Sequence, residues 1–115
     1  MPYMTSHKRG DVVLVNFLFS DESGVKRRPA VIISSKSFHE KRQEAIVCAV
    51  TSNTDRLLMG DYLITGWQAA GLLLPSIATP IIRTLKQSMI FSTLGQLSSA
   101  DVKSVDAMLN DVLSL

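Results

Sequence analysis

A single cysteine, Cys48, leaves this chain of 115 residues with no internal disulfide and no thiol pair of the redox or zinc-binding kind. It lies in the apolar run AIVCAV, where a buried, inert thiol is expected. Histidine is nearly as scarce. His7 and His39 stand in polar segments with no carboxylate at a ligand spacing, so both read as surface residues and no metal site is expected. No apolar run approaches the roughly 20 residues of a membrane-spanning helix. The N-terminal MPYMTSHKRGD has no apolar core of signal-peptide kind. A cytoplasmic protein with no membrane association is expected. The phosphate loop, the dinucleotide glycine fingerprint and the His–Glu metalloprotease motif are all missing as well. Most cofactor-dependent and metal-dependent enzyme classes are therefore excluded, and no cofactor is expected.

What is present is an aliphatic, lightly charged chain. Hydrophobic residues make up 46% and charged residues 19%, a globular balance at a length that suits one domain over residues 1–115. The net charge of +2 does not by itself point to nucleic acid. Its placement is more informative: residues 1–56 carry nine Lys/Arg against six Asp/Glu, and residues 57–115 carry three against four. Three of the first-half cations, Lys26, Arg27 and Arg28, are adjacent.

Periodicity gives the order of elements. VVLVNFLF (12–19) is β-branched and apolar on both alternating sets, which suits a strand covered on both faces. SDESGVKRR reads as a loop, and Pro29 leads into a second strand, AVIIS (30–34). Polar residues 36–44 connect to a third strand at 45–51. That connection is too short for a parallel crossover, so the strands should run antiparallel. After the loop SNTDR come further strands at 60–65 and 81–85, with a helical turn at GWQAAG (66–71) between them. GLLL (71–74) reads as core or as dimer contact. Val102, Val105, Met108, Leu109 and Val112 then fall on one stripe. With Ser98 as N-cap and Asp101 at the third position, they define a helix over 99–113.

The polar residues at strand ends are the candidates for chemistry. Arg28 precedes Pro29, so its backbone should be fixed, and a guanidinium held that way offers several rigid donors to a phosphate. Thr51 and Ser52 end the third strand and carry hydroxyls that suit a phosphate oxygen. Taken one at a time, each has a plainer reading: a salt-bridged arginine, strand-end caps, solvated loop charges. Composition and spacing reach an anion-binding site and stop there.

Three segments in order carry a resemblance. KRGDVVLVNFLFSDESGVKRRPAVIIS (8–34), VCAVTSN (47–53), and PSIATPIIRTLKQSMI with LGQLS (75–98) together resemble the MazF/PemK (Kid) family, the toxins of type II toxin–antitoxin pairs. The resemblance runs over roughly residues 8–113. It implies a mainly β fold, an SH3-like small β-barrel of the CcdB/MazF/PemK kind with a C-terminal helix, assembled as a homodimer. It further implies a metal-independent endoribonuclease that cuts single-stranded RNA, mostly mRNA, through attack of a ribose 2′-OH on the adjacent phosphate. The partner would be a cognate antitoxin of MazE/PemI type that occludes the RNA groove.

Carried over by position, Arg28 matches the family's catalytic arginine and Thr51 its catalytic threonine, with Ser52 assisting. Lys26 and Arg27 would follow the RNA backbone as mobile loop charges, and Asn53 would contact a base. Ser76 and Arg83 fall in the later RNA-facing segment. This sequence departs from the family where some members carry Arg and Asp, or Gln, just before the Arg-Thr pair: it has Ala78, Pro80 and Ile81 there. An acid-assisted mechanism is therefore not expected. Two other readings fit the same fold, a non-catalytic SH3-like module that binds RNA or protein, and a gyrase-directed toxin of the CcdB kind. The RRPAVII and VTSN features favour the ribonuclease branch over the latter.

Overall fold

The computed structural model describes residues 7–17 and 26–115. Its elements are β1 (Asp11–Phe17), β2 (Lys26–Ile32), α1 (Lys36–Lys41), β3 (Glu44–Thr51), β4 (Tyr62–Leu63), β5 (Ile77–Lys86), a 3₁₀ turn (Gln87–Met89), β6 (Ile90–Gln96) and α2 (Ser99–Leu113). The six strands form one antiparallel sheet in the order β4-β5-β3-β2-β1-β6. The expected class, mainly β with a C-terminal helix, holds. Among the described residues the ladder is open, with β4 and β6 as its ends.

Both faces of the central strands β1, β2 and β3 are buried, as the double apolar alternation of β1 requires. Val12, Val31, Cys48 and Val50 point to one face and pack with Ile64, Leu97, Val105, Met108 and Leu109, which brings α2 onto the sheet. Val13, Val15, Ala30, Ile32, Ala45, Val47, Ala49 and Leu85 share the opposite face. Its three alanines are small enough for the sheet to curl over its own side chains. The gap between the two ends of the ladder is packed by the turn over 65–71. There Ala70 N–H donates to Gly66 O (3.1 Å) and Leu72 N–H to Trp67 O (3.0 Å). This turn meets β6 backbone to backbone. A Cβ on Gly71, whose φ is +87°, would lie 2.1 Å from Leu94 O, and one on Gly95 would lie 2.5 Å from Ala70 O. Two glycines at one crossing let the main chains approach this closely.

Several expectations change. β2 begins at Lys26, not at Ala30. Lys26, Arg27 and Arg28 are strand residues opposite Phe17, Asn16 and Val15 of β1, not loop charges. Pairing with β1 extends beyond pairing with β3, which stops at Ala30↔Ala49. Residues 18 and 19 of the expected first strand, and 20–25 of the expected loop, lie outside the described residues. The polar connection at 36–44 contains a six-residue helix capped by Ser35, whose Oγ accepts from Phe38 N (3.1 Å). Such a helix is too short to show a period. β4 is two residues rather than six, and β6 was not anticipated because IFSTLGQ does not alternate. β5 is ten residues, not five. It carries an irregularity: Cys48 faces Ile82 but Val50 faces Ala78, so Thr79, Pro80 and Ile81 crowd opposite one residue of β3. A proline has no N–H for the ladder and is at home in such a bulge.

The histidines also differ from expectation. His39 is fully buried, and His7 is half-buried. His39 Nδ1 donates to His7 O (3.1 Å), which leaves Nε2 to accept from Ser34 Oγ at 2.5 Å. Ser34 Oγ in turn accepts from Ile46 N (2.9 Å). The pair is an internal brace between α1 and β3. Burial also pulls the His7 pKa below its usual value, against the opposing pull of Asp11.

Asp101 fastens α2 to the rest. Ser98 Oγ accepts from its N–H (3.1 Å), the expected cap. The fully buried carboxylate accepts from Tyr62 Oη, from Thr65 Oγ1 (2.8 Å) and N (3.2 Å), and from Gly66 N (2.9 Å). Burial alone would raise its pKa. The donors outweigh that and hold it below the usual carboxylate value of 3.8. A depressed folded pKa means the unfolded chain takes up the proton first. The stabilisation is complete above about pH 5 and is lost as pH falls through the unfolded value toward the folded one. Asp101→Ala should therefore lower stability by roughly 1–3 kcal/mol at neutral pH, because it removes the acceptor of four part-buried hydrogen bonds. Urea unfolding should show the difference between mutant and wild type shrinking as pH drops below about 4.

Candidate active site

Arg28 and Thr51 are brought together by strand register. Ala30 faces Ala49 and Val31 faces Cys48; continuing two residues outward sets Arg28 opposite Thr51, just past the end of the β2–β3 ladder. There the strands no longer hydrogen-bond to each other, and side chains gain access to solvent. Arg28 and Thr51 are both half-buried. They stand on a ridge between two clefts, and both residues line both.

The first cleft, of about 410 Å³, is mostly apolar. Leu14, Pro29, Leu72, Leu73, Leu74 and Leu94 wall it, with Ser52 and Ser76 among them. The second, of about 370 Å³, is more polar: Asn53, Arg56, Asp61 and Thr79 line it, with Leu58 and Ile81. Thr51 is set by a local turn. Its Oγ1 accepts from Asn53 N (3.1 Å), and Asn53 Oδ1 accepts from Asp55 N (3.3 Å). Having accepted that bond, the Thr51 hydroxyl keeps its own proton to donate. The arrangement offers a fixed cation, a hydroxyl donor and a choice of apolar or polar wall. That suits an anionic, partly apolar ligand such as a nucleotide chain.

The other candidates divide. Ser52 is exposed in the first cleft and Asn53 in the second. Ser76 lines the first cleft but is buried, and its hydroxyl donates to Leu74 O (2.8 Å), so it shapes the leucine turn. Lys26 and Arg27 continue β2 away from the ridge; the Arg27 guanidinium lies over the Phe91 ring, with Cζ 3.6 Å from the centroid. Arg83 lies in neither cleft. It faces Val47 well along β5, and its Nη1 donates to Ile82 O (3.1 Å). Ala78 is fully buried, and Thr79 and Ile81 supply wall of the second cleft. Arg56, Leu14 and Leu94 join the clefts without having been singled out in the sequence. Arg56 sits in the SNTDR loop next to Asn53 and was within reach; the two leucines had no distinguishing signal.

Among the described residues no group of three or more His, Cys, Asp or Glu side chains is placed to hold a metal ion. No described helix is long and apolar enough to cross a membrane. Ser34 and His39 have the spacing of a nucleophile and base, but they line neither cleft.

A family model for the PemK-like, MazF-like toxin of type II toxin–antitoxin systems matches residues 8–113. The chain belongs to this family. Solved structures agree at the level of fold. An endoribonuclease of a mycobacterial species, in complex with its cognate antitoxin, superposes with a TM-score of 0.76 at 18% identity, over 96% of this chain and 97% of that one. A MazE–MazF structure from Deinococcus radiodurans gives 0.76 at 18% identity, over 96% and 99%. A MazF toxin of Mycobacterium tuberculosis gives 0.74 at 17%, over 91% and 97%. Comparison by sequence with curated proteins finds no match. At these identities only the fold transfers, and it is the MazF toxin fold.

Cys48 takes no part in the site of this toxin. It is fully buried, and that burial pushes its thiol pKa up to about 12. A thiol-specific reagent at mildly alkaline pH should modify it only as fast as the protein unfolds, with full reaction in denaturant. Reaction in the native state at the rate of an exposed thiol would contradict the burial.

Proposed function

We propose that this toxin is a sequence-specific endoribonuclease that cuts single-stranded RNA, and that Arg28 and Thr51 carry the reaction. The observation behind this reading is their meeting on the ridge between two clefts, in a chain of this family. The ribose 2′-oxygen attacks the adjacent phosphorus as its proton passes to solvent water, the P–O5′ bond breaks, and the leaving 5′-oxygen takes a proton from water. The products are a 2′,3′-cyclic phosphate and a 5′-OH end. Arg28 stabilises the extra charge of the phosphorane, since its high pKa makes it a poor base. Thr51 donates its hydroxyl proton to a non-bridging oxygen, and Ser52 assists from the first cleft. Lys26, Arg27 and Arg56 attract the RNA backbone, Asn53 meets a base, and Ser76 supports the wall. Arg83 would reach RNA only along β5, away from the ridge.

The toxin acts in the cytoplasm as a homodimer, and a cognate antitoxin covers the clefts. Support for the partner comes from the relatives that are seen with theirs. Support for a second copy comes from Leu57, Leu58, Met59 and Leu73, large apolar side chains more than half exposed in the lone chain. A second reading, a non-catalytic RNA- or protein-binding module, is favoured by one observation: the second cleft has Thr79 and Ile81 where an acid or amide would assist catalysis.

Long single-stranded RNA incubated with the purified protein in EDTA separates the two. Discrete cuts ending in cyclic phosphate are expected, reduced at least about a hundredfold in Arg28→Ala and Thr51→Ala at unchanged thermal stability. Lys26→Ala should keep the cut sites, weaken binding and lower the salt slope by about one. A folded wild type that cuts no RNA of varied sequence would leave the binding module as the function.

A further inference from the structure

The edge strand β6 departs twice from regular pairing with β1. Val12 faces Gly95 but Val13 faces Thr93, and Leu14 faces Ser92 but Val15 faces Ile90. Leu94 and Phe91 are thus extra residues, each without a partner across the ladder. A bulge of this kind resets the alternation, re-aims the extra side chain, and is over-represented beside active sites. Leu94 is turned into the wall of the cleft that Arg28 and Thr51 border. Phe91 is left 57% exposed. The Arg27 guanidinium lies over its ring, with Cζ 3.6 Å from the ring centroid.

The stack lies near that cleft. Arg27 precedes Pro29 by two residues, about 7 Å along the strand and on the same side of it. Pro29 faces Leu14, and both line the cleft; Leu14 in turn faces Ser92, the residue after Phe91. An exposed aromatic ring, a cation against it, and the cleft wall of Pro29, Leu14 and Leu94 therefore follow one another on one face, with Arg28 and Thr51 on the ridge at that cleft's edge.

We propose that Phe91, backed by the Arg27 guanidinium, is a stacking platform for an unpaired nucleobase of single-stranded RNA, next to the phosphate held at Arg28 and Thr51. The proposal rests on the ribonuclease reading and adds a base subsite to it. Charge complementarity chooses this occupant: the ring lies against Arg27, and Lys26 and Arg28 are its neighbours along β2, cations that suit a polyanion carrying flat bases. Only an unpaired base has a face to offer, since a duplex buries it. Every base has such a face, so the platform adds affinity without strong sequence choice.

The test uses the full chain and a short fluorescent single-stranded RNA of random sequence, 2′-O-methylated so that it cannot be cut. A matching abasic oligonucleotide serves as the second probe. Phe91→Ala should weaken binding of the RNA about tenfold, and Phe91→Trp should restore it. The salt dependence should not change in Phe91→Ala, because no charge is lost, whereas Arg27→Ala should lower both affinity and slope. On the abasic probe Phe91→Ala and wild type should bind alike. Equal binding of the RNA by Phe91→Ala and wild type overturns the platform while leaving the ribonuclease reading in place. Equal losses on both probes overturn it too. An unchanged RNA affinity with loss of binding to the cognate antitoxin would make the ring a protein contact and likewise overturn it. Failure of wild type to bind RNA at all overturns both readings.

Discussion

The pairing of β2 with β3, from Ile32↔Val47 outward to Ala30↔Ala49, fixes Arg28 relative to Thr51 at the candidate site. Side chains on a strand alternate, so a slip of one residue would turn Arg28 to the opposite face from Thr51. The slip is prevented in the core, not at the site. Val31 and Cys48 must meet α2, while Ala30, Ile32, Val47 and Ala49 must fill the curled face. Because both faces are buried, no other register satisfies both sets. The ladder then stops next to Pro29. Arg28 and Thr51 project where the two strands separate, beyond the packing that aligned them.

The second support is a buried charge. Asp101 takes four donor contacts from Tyr62, Thr65 and Gly66 while sitting in the first turn of α2. It thereby joins the helix to β4 and to the turn at 65–71. That turn carries the glycine crossing with β6 and leads into Leu72, Leu73 and Leu74, one wall of the first cleft. A carboxylate that lines neither cleft thus sets where that wall stands. The cost of burying it is offset by the four donor contacts it receives from neutral groups.

The proposed chemistry needs little more than this placement. Phosphoryl transfer by an internal 2′-OH requires its nucleophile from the substrate, so the protein need only hold the phosphate and stabilise charge. A guanidinium and a hydroxyl on a rigid strand end serve that purpose. Irregularities in the flanking strands shape what surrounds them: the bulge at Thr79–Ile81 forms part of the second cleft, and the two bulges of β6 turn Leu94 and Phe91 outward. Regular strands hold the reacting groups, and broken ones shape the surroundings.

Which residues would be buried in strands, where α2 begins and ends, and which polar groups sit at the ends of β2 and β3 are all written locally. Val and Ile runs, the Ser98–Asp101 cap and the Arg28-Pro29 step depend on neighbours in the chain, so they can be read from it. The family resemblance, spread over short segments from Lys8 onward, added the link between Arg28 and Thr51. Contacts across the sheet are another matter. His39, in a polar run, is buried because Ser34 and His7 are brought to it from either side. Lys26 and Arg27 look like loop charges until β1 pairs with them. β6 does not alternate, because two of its seven residues belong to bulges that exist only against β1. The sequence by itself determined the pieces and their order. Tertiary structure alone decided which strand ends meet and which side chains the irregular strands turn outward, because register and bulges are properties of pairs of strands.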